Sequence, residues 1–116
     1  MSMSTVKTNL VVALDGDSCV PAEVETLSRT DAEQRATLLK AIADPVRLQL
    51  LSIIRNASQR EACVCDMTEA VKVSQPTVSH HLKVLVEAGV LTRERRGSWA
   101  WFRLNEDQLS AIRDSI

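Results

Sequence analysis

A chain of 116 residues and 12.8 kDa has room for one compact domain with a modest core, and 45% apolar with 25% charged residues is the composition of an ordinary soluble protein. The longest apolar run near the N-terminus, Leu10-Val11-Val12-Ala13-Leu14, is far too short to span a bilayer, and no basic leader or cleavage-site pattern precedes it. No membrane segment is expected, and the cytoplasm is the expected location. The net charge of −1 argues against a nucleic-acid partner only until its distribution is read. Residues 1–35 hold three basic against six acidic side chains, net −3, whereas residues 72–103 hold six against two, net +4.

Residues 1–29 read as an N-terminal arm, polar and small with a turn signal at Gly16-Asp17-Ser18, and residues 30–116 as the folded domain. Thr30 and Asp31 offer an N-cap, after which Leu38, Leu39 and Ile42 recur at helical spacing through Ala43. Asp44-Pro45 is a second start signal, an acidic cap followed by proline at the first helical position, where its missing N–H costs nothing. Val46, Leu48, Leu50, Leu51, Ile53 and Ile54 make the helix that follows apolar over most of its circumference, as a central core helix requires.

Ser58 to Glu61 break the pattern, and a short helix is expected from Cys65 or Asp66 through Val71. Ser74 then caps a further helix with Pro76 in its first turn and Gly89 at its end. Val78, Leu82 and Leu85 share one face of it, leaving Ser79, His80 and Lys83 directed elsewhere. Past Gly89, Val90–Arg95 and Ser98–Leu104 read as a β-hairpin joined through Arg96-Gly97, and Asn105 caps a last helix containing Leu109 and Ile112. Trp99 and Trp101 share one face of the second strand and Ala100, Phe102 and Leu104 the other, with the inward face left open.

Short helix, tight connection, capped helix and basic hairpin, in that order, describe a winged helix-turn-helix, mainly α with a small β-hairpin. Ser74, Gln75, Thr77, Ser79 and His80 sit in the N-terminal part of the expected recognition helix, the part that meets base edges of double-stranded DNA. Lys83 and Lys72 suit phosphates, and Arg95 and Arg96 suit a minor groove beside the hairpin. A metal site on His80-His81 is not expected, since adjacent helical residues diverge and neither has a partner one turn away. No Gly-rich phosphate loop and no catalytic order of cysteine, histidine and carboxylate is present, so an enzyme is not expected.

The three cysteines are an odd number, and Cys63 and Cys65 are separated by one residue, which favours reduced thiols over a disulfide staple. Cys63-Val64-Cys65-Asp66 places two soft-metal ligands immediately before the DNA-reading helix, the arrangement of a metal-controlled transcription switch. Residues i and i+2 of a regular helix do not face each other, so the pair can share one ion only at a frayed or distorted helix start. A helix N-terminus also favours thiolate, which is expected to ease metal binding.

Three segments in order, Lys40-Ala41-Ile42-Ala43-Asp44-Pro45-Val46-Arg47-Leu48-Gln49-Leu50-Leu51, Cys63-Val64-Cys65-Asp66-Met67 and Ser74 to Leu82, resemble the central helix, metal box and recognition helix of the ArsR/SmtB family of metal-responsive repressors. The resemblance implies a homodimer that binds an operator, an inverted repeat, and leaves it when metal binds. It also implies that the arm contributes to the dimer and to the metal site, where this chain supplies Cys19; Thr68 stands where one arsenic-sensor pattern places its third cysteine. Cys19, Cys63 and Cys65 form a three-sulfur set suited to As(III) or Sb(III). Two alternatives keep the fold: a Cd(II)- or Pb(II)-responsive repressor, and a thiol-redox sensor pairing Cys19 with Cys63 or Cys65. The segment Asn105–Ile116 holds no histidine, against the second site that zinc-sensing relatives build there.

Overall fold

A computed structural model describes residues 23–115. Five helices and three strands follow one another as α1 (Arg29–Ile42), α2 (Pro45–Asn56), β1 (Glu61–Cys63), α3 (Val64–Val71), α4 (Gln75–Glu87), β2 (Leu91–Arg96), β3 (Trp99–Leu104) and α5 (Glu106–Ser115). A single 3₁₀ turn, Ser58–Arg60, joins α2 to β1. The strands form one antiparallel sheet in the order β1-β3-β2. This is the winged helix-turn-helix that the sequence predicts, with α3 and α4 as the motif and β2-β3 as the wing.

Most helix starts obey local capping. Asp44 accepts hydrogen bonds from the backbone N–H groups of Val46 and Arg47 at 2.9 and 3.1 Å, with Pro45 following it. Ser74 accepts from Thr77 N–H at 3.4 Å. At α1 the cap is Ser28 and not Thr30 or Asp31: its hydroxyl accepts from Asp31 N–H at 3.0 Å, leaving Asp31 in the first turn, where a carboxylate complements the helix dipole. At α5, Asn105 accepts from Gln108 N–H at 3.4 Å.

The helix-turn-helix connection is tight because Lys72 takes a left-handed conformation (φ 60°, ψ 40°) directly after α3. At the other end of α4, Gly89 (φ 88°) closes a Schellman motif, donating to the Val86 carbonyl while Val90 donates to that of Leu85. The hairpin turns through Gly97-Ser98, one residue later than the expected Arg96-Gly97, because Arg96 pairs with Trp99 as the last rung. Gly97 has φ 63°, the conformation a type II′ turn needs at its first central residue.

Leu50 and Ile54 of α2, Met67 of α3, Val78, Leu82 and Leu85 of α4, and Val90 and Leu91 make up the fully buried centre. Phe102 and Leu104 are buried with them, so this is the inward face of β3 and Trp99, 54% exposed, lies outward. Leu48 is 53% exposed, an exception to the expected apolar girth of α2. No sequence pattern predicts strand β1. Its three residues are too few to alternate visibly, and their partners on β3 lie about forty residues downstream in the register Glu61↔Arg103, Ala62↔Phe102, Cys63↔Trp101.

A Cβ on residue 89 would find only Leu38 Cδ2 at 4.0 Å, an ordinary contact, so any cost of Gly89→Ala comes from backbone conformation alone. Urea denaturation should show a loss of about 1–2 kcal/mol for this variant; an unchanged midpoint would mean that the helix end tolerates another geometry.

Candidate metal and DNA-binding site

Cys63 ends β1 with extended backbone (φ −89°, ψ 151°) and is also the N-cap of α3, while Cys65 is the second residue of that helix. The change from strand to helix between them brings together side chains that a continuous helix would hold apart. Their sulfurs are 3.0 Å from each other, with one thiol donating to the other. Cys63 is buried and Cys65 exposed, so the pair has one anchored and one accessible member. The expected distortion of the helix start is unnecessary, because the chain enters α3 from a strand.

At Cys65 the helix N-terminus does not set the acidity. Cys65 is pushed above the ordinary thiol range, first by its hydrogen bond with Cys63, then by burial and by the charges of Cys63 and Asp66, against a smaller opposing backbone hydrogen bond. A second sulfur and a neighbouring carboxylate outweigh the helix end. Thr68 donates its hydroxyl to the Val64 carbonyl at 2.9 Å and is committed to its own helix. Among the described residues no cluster of three or more His, Cys, Asp or Glu side chains is placed to hold a metal, and Cys19 lies outside the described residues.

The outer face of the sheet adjoins the thiols. Strand alternation puts Glu61 and Cys63 of β1 on the same face as Trp99, Trp101 and Arg103 of β3 and Glu94 and Arg96 of β2. Arg96 forks onto Glu61 with contacts of 3.0 and 2.8 Å, reaches Glu94 at 2.7 Å, and lies 4.8 Å over the Trp101 ring. Arg103 adds a 2.8 Å bond to Glu61, whose side chain is only 11% exposed. The Arg96 guanidinium, and after it that of Arg103, holds the Glu61 carboxyl down at about 2. Arg96, expected at DNA, thus has its donors engaged within the sheet; Arg95 is exposed.

On α4 the side chains of Ser74, Gln75, Thr77, Ser79, His80 and Lys83 are all exposed, opposite the buried Val78, Leu82 and Leu85. The Ser74 and Thr77 hydroxyls meet at 2.9 Å. Lys83 and Ser79 also line a cleft of about 350 Å³ with Arg93 and Ala100 of the hairpin and the apolar Val64 and Phe102, so one basic side chain from the recognition helix and one from the wing flank it. Arg93 escapes the motif reading, and the signal for it is the charge excess of residues 72–103. His81 turns inward: its Nδ1 accepts from Arg47 Nε at 3.0 Å and lies 4.0 Å from Asp44 Oδ2, while Arg47 also donates to the Ala41 carbonyl at 3.1 Å. One arginine of α2 thereby ties the recognition helix to the end of α1.

A capped helix presenting polar side chains after a tight turn, flanked by a basic hairpin, defines a DNA-binding protein of the winged helix-turn-helix class. Residues 44–93 match the family described as bacterial regulatory protein, arsR family. The arsenical resistance operon repressor of Bacillus subtilis is 36% identical over 73 residues, spanning 63% of this chain and 68% of that protein. The transcriptional repressor SmtB of Mycobacterium tuberculosis is 45% identical over 75 residues, 65% of this chain and 53% of that one. Among solved structures, a homodimeric winged helix-turn-helix domain from Mycobacterium bovis, a possible ArsR-family regulator, superposes with a TM-score of 0.62 at 26% identity, covering 75% of this chain and 82% of that one. The chain belongs to the ArsR family and is a transcriptional repressor, not an enzyme. No described helix is long and apolar enough to cross a membrane.

Because its pairing favours the charged form, Glu61 contributes stability that is present above the ordinary carboxylate value of 4.5 and is lost as pH falls from there toward about 2. Thermal melts of Glu61→Gln should therefore lose less stability across that window than the wild type; parallel profiles would mean the carboxylate is unpaired in solution.

Proposed function

We propose that this protein is a homodimeric repressor that leaves its operator when As(III) or Sb(III) is taken up by Cys63 and Cys65, with Cys19 of the arm as third ligand. The observation that carries this reading is the 3.0 Å sulfur pair at the entrance to the first helix of the DNA-binding motif. The donor set fits the chemistry: two converging soft thiols, one open to solvent, with no histidine or carboxylate completing a harder site among the described residues. Arsenous acid carries hydroxyls that leave as water with the thiol protons, so uncharged thiols condense with it without net proton release. A divalent cation must instead expel those protons into solution, and it also wants more ligands than two sulfurs. The relatives named for arsenical resistance and the homodimeric structural neighbour support the same reading.

The DNA contacts fall to Ser74, Gln75, Thr77, Ser79, His80 and Lys83 on α4 and to Arg95 on the wing, two copies reading the halves of an inverted repeat. Arg96 serves the wing's geometry and not the nucleic acid, because its fork already grips Glu61.

Cys63→Ser and Cys65→Ser should each bind operator DNA as the unmodified dimer does but fail to release it with arsenite, where the wild type weakens by roughly 5–150-fold. Fluorescence anisotropy of labelled operator checks this, and release by both variants at wild-type arsenite concentrations would overturn the reading. Cys19→Ser should remove one of three thiolates from the ultraviolet thiolate-to-arsenic absorption.

A further inference from the structure

Glu61 stands two residues before Cys63 on the shortest strand of the sheet, yet its carboxylate is the most shielded charged end in the outer face. It accepts hydrogen bonds from both terminal guanidinium nitrogens of Arg96, Nη1 and Nη2, and from Nη2 of Arg103. Arg96 in turn lies over Trp101, and Trp101 is the cross-strand partner of Cys63. Glu61, Arg96 and Trp101 are therefore linked side chain to side chain, and the sheet register sets Trp101 opposite Cys63, so the thiol site and the base of the wing turn adjoin the same group of side chains. Arg96 is the last residue of β2, adjacent to Arg95 and to the turn at Gly97.

This geometry has a mechanical consequence. An ion held by both sulfurs must draw on the last residue of β1 and on the first turn of α3 together. Cys63 is buried and lies on the same short strand as Glu61, opposite Trp101, so a displacement of its backbone carries Glu61 with it. A bidentate arginine–carboxylate pair is directional as well as strong, so a displaced carboxylate reorients the guanidinium instead of merely stretching a contact.

We propose that Glu61 is the positioning residue that transmits occupancy of the thiol pair to the wing, through Arg96, so that the wing end carrying Arg95 is withdrawn from DNA when the ion binds. This rests on the reading of Cys63 and Cys65 as the inducer site. It adds to that reading a second route to the DNA, through the sheet, beside the direct one from α3 to α4.

The test compares the wild-type chain with Glu61→Gln, which keeps size and one hydrogen-bonding oxygen but removes the charge. Arsenite binding, read by thiolate absorption, should be unchanged, and arsenite-free operator affinity should stay within about threefold. The factor by which arsenite weakens operator binding should fall by at least about fivefold, a sizeable part of a typical coupling. Amide hydrogen exchange of residues 95–99 should respond to arsenite in the wild type and not in Glu61→Gln. The idea is overturned if Glu61→Gln keeps the full wild-type release factor, or if wild-type protein releases its operator with no change in exchange at the wing turn; the second result needs no variant to fold. A wild type that binds arsenite and holds its operator would instead remove the underlying assignment of the cysteines, an outcome distinct from either of these.

Discussion

The extended backbone of Cys63 is the constraint on which the rest of this molecule depends. Because that residue ends a strand and opens a helix at once, its side chain meets the thiol two positions later at 3.0 Å, which an uninterrupted helix would forbid. Here β1 pairs with β3, and that pairing places Trp101 opposite Cys63 and Arg103 opposite Glu61. A three-residue strand thus joins the thiol pair to the sheet that carries the wing. The thiol pair sits where long-range sheet pairing meets the N-cap of a helix.

From this junction the architecture leads to DNA by packing. Met67 of α3 and Val78, Leu82 and Leu85 of α4 are fully buried in one core with Leu50 and Ile54, so the two helices of the motif share a common floor. Interiors this dense move by shifts of whole elements and not by local softness. The recognition helix is further pinned from α2 by the Arg47–His81 hydrogen bond, which leaves His80 and its neighbours on the exposed side. The net charge of −1 hides an uneven distribution, net −3 over residues 1–35 and net +4 over residues 72–103, the segment that includes α4 and the hairpin.

What could be read from the sequence divides along the range of the interactions. The helices beginning at Pro45 and Gln75 were legible because cap, proline and apolar period agree within a dozen residues, and the hairpin because Gly97 and alternation coincide. The two faces of β3 were also legible, but which one turns inward required knowing that Phe102 and Leu104 meet the core. The candidate thiols and the exposed face of α4 followed from residue type and spacing. Strand β1 did not, and with it went the true start of α3 at Val64, the proximity of the sulfurs and the ring through Glu61 and Arg96. Those features join residues tens of positions apart, and no local pattern encodes them. Arg96 illustrates the point: composition marks it as a DNA contact, and only the fold shows that a carboxylate 35 positions earlier occupies its fork.

Under the proposed function, filling the thiol pair and losing the operator are one event. The most direct measurement is an arsenite titration of the protein–operator complex in which thiolate-to-arsenic absorption and operator anisotropy are followed in the same cuvette. The two signals are predicted to change together, with a common midpoint and a common end point. Absorption that saturates while the anisotropy stays at its bound value would contradict the central claim.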